Sequence, residues 1–187
     1  MAGGPLGSER MSSAAVETPV SDLLLQKLQK VRLFLTDCDG VLTDAGVYYS
    51  SRGEEWRRFS VRDGMGVERL RKLAEIETGI VSREGSGSLI QRAAKLDIRE
   101  LHVGVANKLH TFHRIASRRQ VVLEQIAYIG DDVNDEEALS AVGFSACPSD
   151  AEPPIRSIVD YVCRRSGGHG AFREVAELLI SAAQMLD

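Results

Sequence analysis

The chain has 187 residues, 43% of them hydrophobic and 27% charged, with a formal net charge of −4. That length and balance suit one globular domain with its own core, and the mild acidity argues against wholesale nucleic-acid binding. Three widely spaced cysteines, Cys38, Cys147 and Cys163, make neither a disulfide framework nor a zinc pattern, and no apolar run approaches the roughly 20 residues of a membrane span, so the expected setting is a reducing cytoplasm without a nucleic-acid or membrane partner.

Residues 1–19 are rich in Gly, Ser, Ala and Pro and have no period, which predicts a tail ahead of a single domain over 20–187. Ser21-Asp22 can cap a helix carrying Leu23, Leu24, Leu25 and Leu28. The apolar run 31–36 has the length of a buried strand and ends at Asp37-Cys38-Asp39-Gly40. Two β-rich runs then flank Ser51-Arg52-Gly53-Glu54, which predicts a hairpin over about 46–61 holding Trp56, Tyr48 and Tyr49. A helix is predicted from Asp63-Gly64, with Val67, Leu70, Leu73 and Ala74 on one face.

Strands and helices then alternate. Strands are predicted at 79–81, 101–103, 125–129, 143–146 and 159–163, and helices at 86–96, 108–116, 135–141, 151–157 and 170–186. The fold class is therefore α/β: a parallel sheet covered by helices on both faces, with a β-hairpin flap.

Chemistry-bearing residues fall at or beside predicted strand ends. Asp37 and Asp39 follow the first strand, Ser82 follows the next, Lys108 opens a helix, and Asp131, Asp132 and Asp135 follow the strand at 125–129. In an open α/β sheet, ligands bind outside the carboxyl ends of the strands. Taken singly, each has a plainer reading. Asp-x-Asp-Gly is a solvated turn, Lys108 a helix lysine, Ser82 a turn residue, and Gly130-Asp131-Asp132 a helix cap. Taken together they supply a nucleophile, a hydroxyl donor, a cation and oxygen ligands for Mg²⁺. That set fits phosphoryl transfer to an aspartate, where catalysis is largely positioning and charge stabilisation. A second acid/base must protonate the leaving alcohol and later activate water, and Asp39 is placed for it.

The stretch Asp37-Cys38-Asp39-Gly40-Val41-Leu42-Thr43-Asp44, with Gly130-Asp131-Asp132-Val133-Asn134-Asp135, resembles the haloacid dehalogenase phosphatase superfamily. The nearer resemblance is to its small capless branch containing 3-deoxy-D-manno-octulosonate 8-phosphate (KDO 8-phosphate) phosphatase. Phe59-Ser60-Val61-Arg62-Asp63-Gly64-Met65-Gly66 is similar to that branch's substrate loop, and Gly167-Gly168-His169-Gly170-Ala171-Phe172-Arg173-Glu174 to its C-terminal signature. The resemblance implies a Rossmann-like fold, Mg²⁺ as cofactor and a small-molecule sugar-acid phosphate as substrate. It makes Asp37 the nucleophile and a metal ligand, and Asp39 the acid/base, which also gives its backbone carbonyl to the metal. Ser82 and Lys108 bind the phosphoryl group, Asp131 completes the metal site, and Asp135 orients Lys108. It also implies a homotetramer with the 46–61 hairpins at its centre and one subunit's tail closing a neighbour's site.

There is one departure from the pattern. The branch carries Thr-Gly-Arg where this chain has Ser82-Arg83-Glu84. A glutamate there is similar to phosphatases of nine-carbon acids, the KDN and sialic acid 9-phosphates. It is also similar to the phosphatase-like domain of animal CMP-sialic acid synthetases, which serves assembly rather than catalysis. The intact carboxylates and Lys108 favour an enzyme over such a module. Arg62, Arg92 and Arg173 are the candidate cations for a substrate carboxylate, with Asp63 and Gly64 beside them in the substrate loop. Glu84 is an acceptor for sugar hydroxyl or amide donors. The expectation is that a nine-carbon acid phosphate is used at least as well as KDO 8-phosphate.

Overall fold

The computed structural model describes residues 21–186; the expected tail over 1–19 lies outside them. Helix α1 (Asp22–Lys30) starts where Ser21 Oγ accepts the Leu24 N–H at 3.3 Å, the side-chain cap the sequence predicts. Strand β1 (Leu33–Thr36) follows, buried along its whole length. Strands β2 (Val47–Ser50) and β3 (Gly53–Arg57) form a separate antiparallel hairpin with an irregularity between Tyr48 and Tyr49. The remainder is α2 (Val61–Ala74), β4 (Glu77–Val81), α3 (Gly87–Lys95), β5 (Glu100–His102), α4 (Lys108–Arg119), β6 (Ile126–Ile129), α5 (Glu136–Ala141), β7 (Phe144–Cys147), α6 (Pro153–Ile158), β8 (Tyr161–Val162) and α7 (Ala171–Gln184).

The main sheet runs β5-β4-β1-β6-β7-β8, every neighbouring pair parallel. Because β1 lies between β4 and β6, the chain leaves it in both directions across the sheet. That is where a crevice opens at the carboxyl ends of the strands. Side chains alternate along β1. Phe34 joins one core with Leu28, Val67, Leu70, Leu89, Phe172 and Val175, and stacks on Phe172 at 4.8 Å. Leu33 and Leu35 join the other with Phe112, Ile115, Tyr128, Leu139 and Ile155. Both faces of the sheet are thus covered, as the near-continuous apolar run of β1 requires.

Among the boundaries that differ from the sequence reading, two have a plain cause. Helix α2 begins at Val61 rather than at Asp63, because Ser60 Oγ accepts from the Arg62 and Asp63 N–H groups and caps it. The Phe59-Ser60-Val61 run that reads as strand is therefore a cap and a first turn, and Val61 is 81% exposed. The last strand shrinks from 159–163 to Tyr161–Val162, since it pairs only with β7 at the sheet edge. Among the described residues, no helix is long and apolar enough to cross a membrane.

At the opposite edge, Glu100 is buried, accepts from Arg118 Nη2, and lies 2.5 Å from His102 Nε2. These contacts pin α4 to β5. Burial alone would push the Glu100 carboxyl up, but the His102 hydrogen bond and the Arg118 guanidinium outweigh it and hold it below the usual carboxylate range. A depressed folded pKa adds stability above the unfolded pKa, near 4.3 for Glu, which is lost as pH falls through the folded value. Glu100→Gln should therefore lower Tm most near neutral pH, and the gap to wild type should shrink below about pH 4. A gap that stays constant from neutral pH into that acid range, read by calorimetry, would remove this assignment.

Candidate active site

Strand β1 ends at Thr36, and the Asp37 N–H still donates to Ile129 O at 3.0 Å, so Asp37 is fixed by the sheet itself. Its Oδ1 accepts the Cys38 N–H at 2.7 Å. The chain then turns tightly: Leu42 and Thr43 both donate to Cys38 O, and Gly40 takes φ +76°. A Cβ on Gly40 would lie 1.8 Å from Asp131 Oδ2, so only glycine lets the loop after β1 meet the loop after β6.

Lys108, the first residue of α4, is buried and reaches Asp37 Oδ2 at 2.9 Å and Asp135 Oδ1 at 2.5 Å. It also donates to Tyr128 Oη at 3.2 Å, while the Tyr128 hydroxyl donates to Asp135 Oδ1 at 2.5 Å. The other Asp135 oxygen accepts the N–H groups of Asp131 and Asp132 at 3.1 and 3.4 Å. Both Asp135 oxygens are therefore engaged, and its place is to aim Lys108 and hold the 131–135 turn.

Carboxylate oxygens of Asp37, Asp131 and Asp135 lie within 4.8 Å of one another. Burial and the Asp37 and Asp135 charges push the Asp131 carboxyl up to about 8. Burial also pushes Asp37 up, against the pull of Lys108. Burial alone would push Lys108 down, but the Asp37 and Asp135 charges outweigh it and hold it up, so the ammonium stays charged. Three carboxylates against one ammonium leave two formal negative charges, the complement of a divalent cation.

The fit to Mg²⁺ rests on Asp131 Oδ1, which is buried without a hydrogen-bond partner. Asp63 Oδ2 and Thr78 Oγ1 share that state, but among the described residues neither belongs to a cluster of metal-binding side chains. Burial also pushes the Cys38 thiol up, so it stays neutral and the donor set is oxygen alone. Asp37 and Asp131 are the residues that would hold the cation. Asp132 lies on the rim, capping the 133–135 turn with its carboxylate.

Asp39 stands apart from Asp37, Asp131 and Asp135. Its carboxylate lies outside the acidic trio and accepts from Arg57 Nη1 at 2.7 and 2.6 Å, with Thr43 Oγ1 at 3.4 Å. Burial pushes Asp39 up, and Arg57 works against it. Ser82 is buried directly after β4, beside β1. Glu84 is exposed in the loop that follows, and Arg62 is exposed on the first turn of α2.

Other candidate substrate residues, Asp63 and Gly64 of that loop with Arg92 and Arg173, make their contacts within the protein. Asp63 is buried and accepts the Arg173 N–H at 2.9 Å, joining the starts of α2 and α7. A Cβ on Gly64 would lie 2.4 Å from Arg92 Nη2, and Arg92 donates to Ser60 O at 2.7 Å. Arg173 pairs with Glu177. These four residues brace helices within the chain.

Three features were not singled out from the sequence. Tyr128 reads as an ordinary strand aromatic. Arg57 reads as one arginine of a basic run. Gly167 reads as part of a signature without a stated task, yet a Cβ there would lie 1.8 Å from Gly40 O, so it packs on the back of the Asp37–Asp39 loop. Glu174 holds that segment by accepting from Arg164 N, Arg165 N and Tyr161 Oη.

Above about pH 8, where its carboxyl is ionised, Asp131→Asn should raise Tm in EDTA, because it removes one of three crowded like charges, and it should abolish the Tm increase that Mg²⁺ gives the wild type. An Asn variant that is stabilised by Mg²⁺ as strongly as wild type would place the cation elsewhere.

A match to the haloacid dehalogenase-like hydrolases spans residues 87–174. The 3-deoxy-D-manno-octulosonate 8-phosphate phosphatase of Escherichia coli K12 is 38% identical over 176 residues, 94% of this chain and 93% of that protein. The crystal structure of the Yersinia pestis phosphatase of that name superposes with a TM-score of 0.85 at 38% identity, covering 90% of each chain. That of Moraxella catarrhalis, in complex with magnesium, phosphate and KDO, superposes at 0.82 with 34% identity, covering 84% of this chain and 90% of that one. The chain belongs to the haloacid dehalogenase-like hydrolases, within the group of the 3-deoxy-D-manno-octulosonate 8-phosphate phosphatases.

Proposed function

We propose that the chain is a Mg²⁺-dependent phosphomonoesterase that hydrolyses KDO 8-phosphate through an aspartyl-phosphate on Asp37. The observation that carries this reading is the meeting of Asp37, Lys108, Asp131 and Asp135 at the carboxyl ends of β1 and β6, with a buried Asp131 oxygen left over. The names of the relatives support the eight-carbon substrate. A second reading, a KDN or N-acetylneuraminate 9-phosphate, is favoured by Glu84, whose exposed carboxylate can accept from the extra donors of a longer sugar. A purely structural module is not favoured, since Asp37, Lys108, Asp131 and Asp135 are all present and meet in one place.

In the first step an Asp37 carboxylate oxygen attacks phosphorus and the phosphorus–ester oxygen bond breaks. The bond pair leaves on the sugar oxygen, which takes the Asp39 proton. In the second, water attacks the same phosphorus, gives a proton to Asp39 and releases phosphate as the Asp37 oxygen departs. Lys108 and the Ser82 hydroxyl neutralise and orient the equatorial oxygens. The chemistry that Mg²⁺ supplies when held by Asp37, Asp131 and the Asp39 carbonyl is charge neutralisation on the phosphoryl group. Arg62, exposed beside the hairpin, is the cation available for the substrate carboxylate. The three thiols are free and buried, which suits a reducing cytoplasm.

We read the assembly as a homotetramer. Tyr48, Tyr49 and Trp56 are 61, 74 and 68% exposed on a two-stranded ribbon, and Val61 and Met65 are exposed on α2. An isolated ribbon of this kind is marginal in water, so a second copy of the chain is the natural cover.

Phosphate release assayed on KDO 8-phosphate, KDN 9-phosphate and N-acetylneuraminate 9-phosphate should show Mg²⁺-dependent turnover of at least one. Asp37→Asn should lose several orders of magnitude in kcat with Tm retained. No release from any of the three, or near wild-type rates in the Asn variant, would sink the proposal. Trp56→Asp should break the assembly in light scattering. A tetramer surviving that charge would move the interface away from the hairpin.

A further inference from the structure

The hairpin forms a sheet of its own, apart from the main one, and every residue of β2 is exposed. Yet one of its side chains points the other way. Arg57, the last residue of β3, has a side chain only 2% exposed. Its Nε and Nη2 donate to Glu54 Oε1 and Oε2 at 2.7 and 2.9 Å, a two-pronged pair that fixes the plane of the guanidinium. Its Nη1 then spans both oxygens of Asp39 at 2.7 and 2.6 Å. The neighbouring Arg58 shows the contrast: it is 46% exposed and reaches only Asp44 and Gly168 O.

Asp39 needs such a hold. It stands beyond the end of β1, outside the sheet's hydrogen bonds, and its side chain is 28% exposed. The other contact on its carboxylate is a long one, from Thr43 Oγ1 at 3.4 Å. Unheld, the carboxyl would rotate freely about its last bond. A guanidinium spanning both oxygens stops that rotation. The hold survives a proton on one oxygen, because the other remains an acceptor.

We propose that Arg57, itself fixed by Glu54, is the positioning residue that aims Asp39 at the leaving oxygen, so that the hairpin completes the active site of its own chain. The inference rests on the reading of Asp39 as the acid that protonates the sugar oxygen. Arg57 does not touch the phosphoryl group in this account; it acts through Asp39.

The test uses leaving groups. A sugar alkoxide needs the Asp39 proton as its bond to phosphorus breaks, whereas p-nitrophenolate leaves without one. Loss of aim should therefore harm one ester more than the other. Compare kcat/KM, which reports the steps through phosphoryl transfer, for the full-length chain with Mg²⁺ on the sugar-acid phosphate and on p-nitrophenyl phosphate. Arg57→Ala should lose about 10- to 100-fold on the sugar ester, the range of a misplaced general acid, and less than about threefold on the aryl ester. Arg57→Lys should recover part of the loss, and Glu54→Ala should show the same selectivity at smaller amplitude. Light scattering and Tm are followed in parallel, since a loosened hairpin or a broken assembly would lower both esters together. Equal losses on the two esters, or no loss on either, would overturn the proposal while leaving the phosphatase reading intact. A wild-type protein that hydrolyses neither ester would instead remove the phosphatase reading, and this inference with it.

Discussion

The buried ammonium of Lys108 between Asp37 and Asp135 is the interaction on which the rest of the site depends. A lone buried lysine would be driven toward its neutral form, and lone buried carboxylates toward theirs. Here the carboxylates keep the ammonium charged, and the ammonium opposes the upward push of burial on Asp37. Removing Lys108 would leave Asp37, Asp131 and Asp135 facing one another with no protein cation among them. Tyr128 matters for the same reason. Its hydroxyl accepts from Lys108 and donates to Asp135, which satisfies groups that water cannot reach.

The fold delivers these partners from different parts of the chain without long side-chain reaches. Asp37 continues the β1 ladder, Asp131 follows β6, and Lys108 opens the helix that covers that face. Their convergence follows from β1 lying between β4 and β6 in a parallel sheet, because all three strands end at one edge of the layer. The loop after β1 is then held from behind. Gly167 packs against Gly40 O, the Gly168 N–H donates to Val41 O, and Glu174 ties the same segment to the start of α7. The C-terminal signature is, within this chain, the backing plate of the catalytic loop.

Much of this was legible in the sequence. The apolar run before Asp37 and the run before Asp131 are short, β-rich and bounded by glycine, so both strands and the two acidic loops could be read directly. Lys108 could be placed because a parallel α/β order puts the start of that helix at the same edge. The substrate loop was legible as a motif but not as geometry. Asp63, Gly64, Arg92 and Arg173 have the residue types of an anion site, and only the packing of α2 against α3 and α7 turns them inward. Arg57 was illegible for the converse reason. In sequence it is one of three arginines between 52 and 58, and nothing local says which one leaves the surface. That is decided by strand alternation around an irregularity, and by the position of Glu54 three residues earlier on β3.

The arrangement also explains how a domain can keep so many charges out of water. Asp37, Asp39 and Asp135 each find cations or N–H donors within the protein, which offset part of the cost of their burial. Asp131 is the exception. Its Oδ1 is buried and unpartnered, and its neighbours are other carboxylates. Filling that gap with a lysine or arginine would satisfy the charge and close the metal site. Leaving it unfilled costs stability in the metal-free chain but keeps a divalent cation the best available partner. On the proposed role of Asp131 as a metal ligand, folding stability and metal binding make opposite demands on a single oxygen, and leaving that oxygen unpartnered favours the metal.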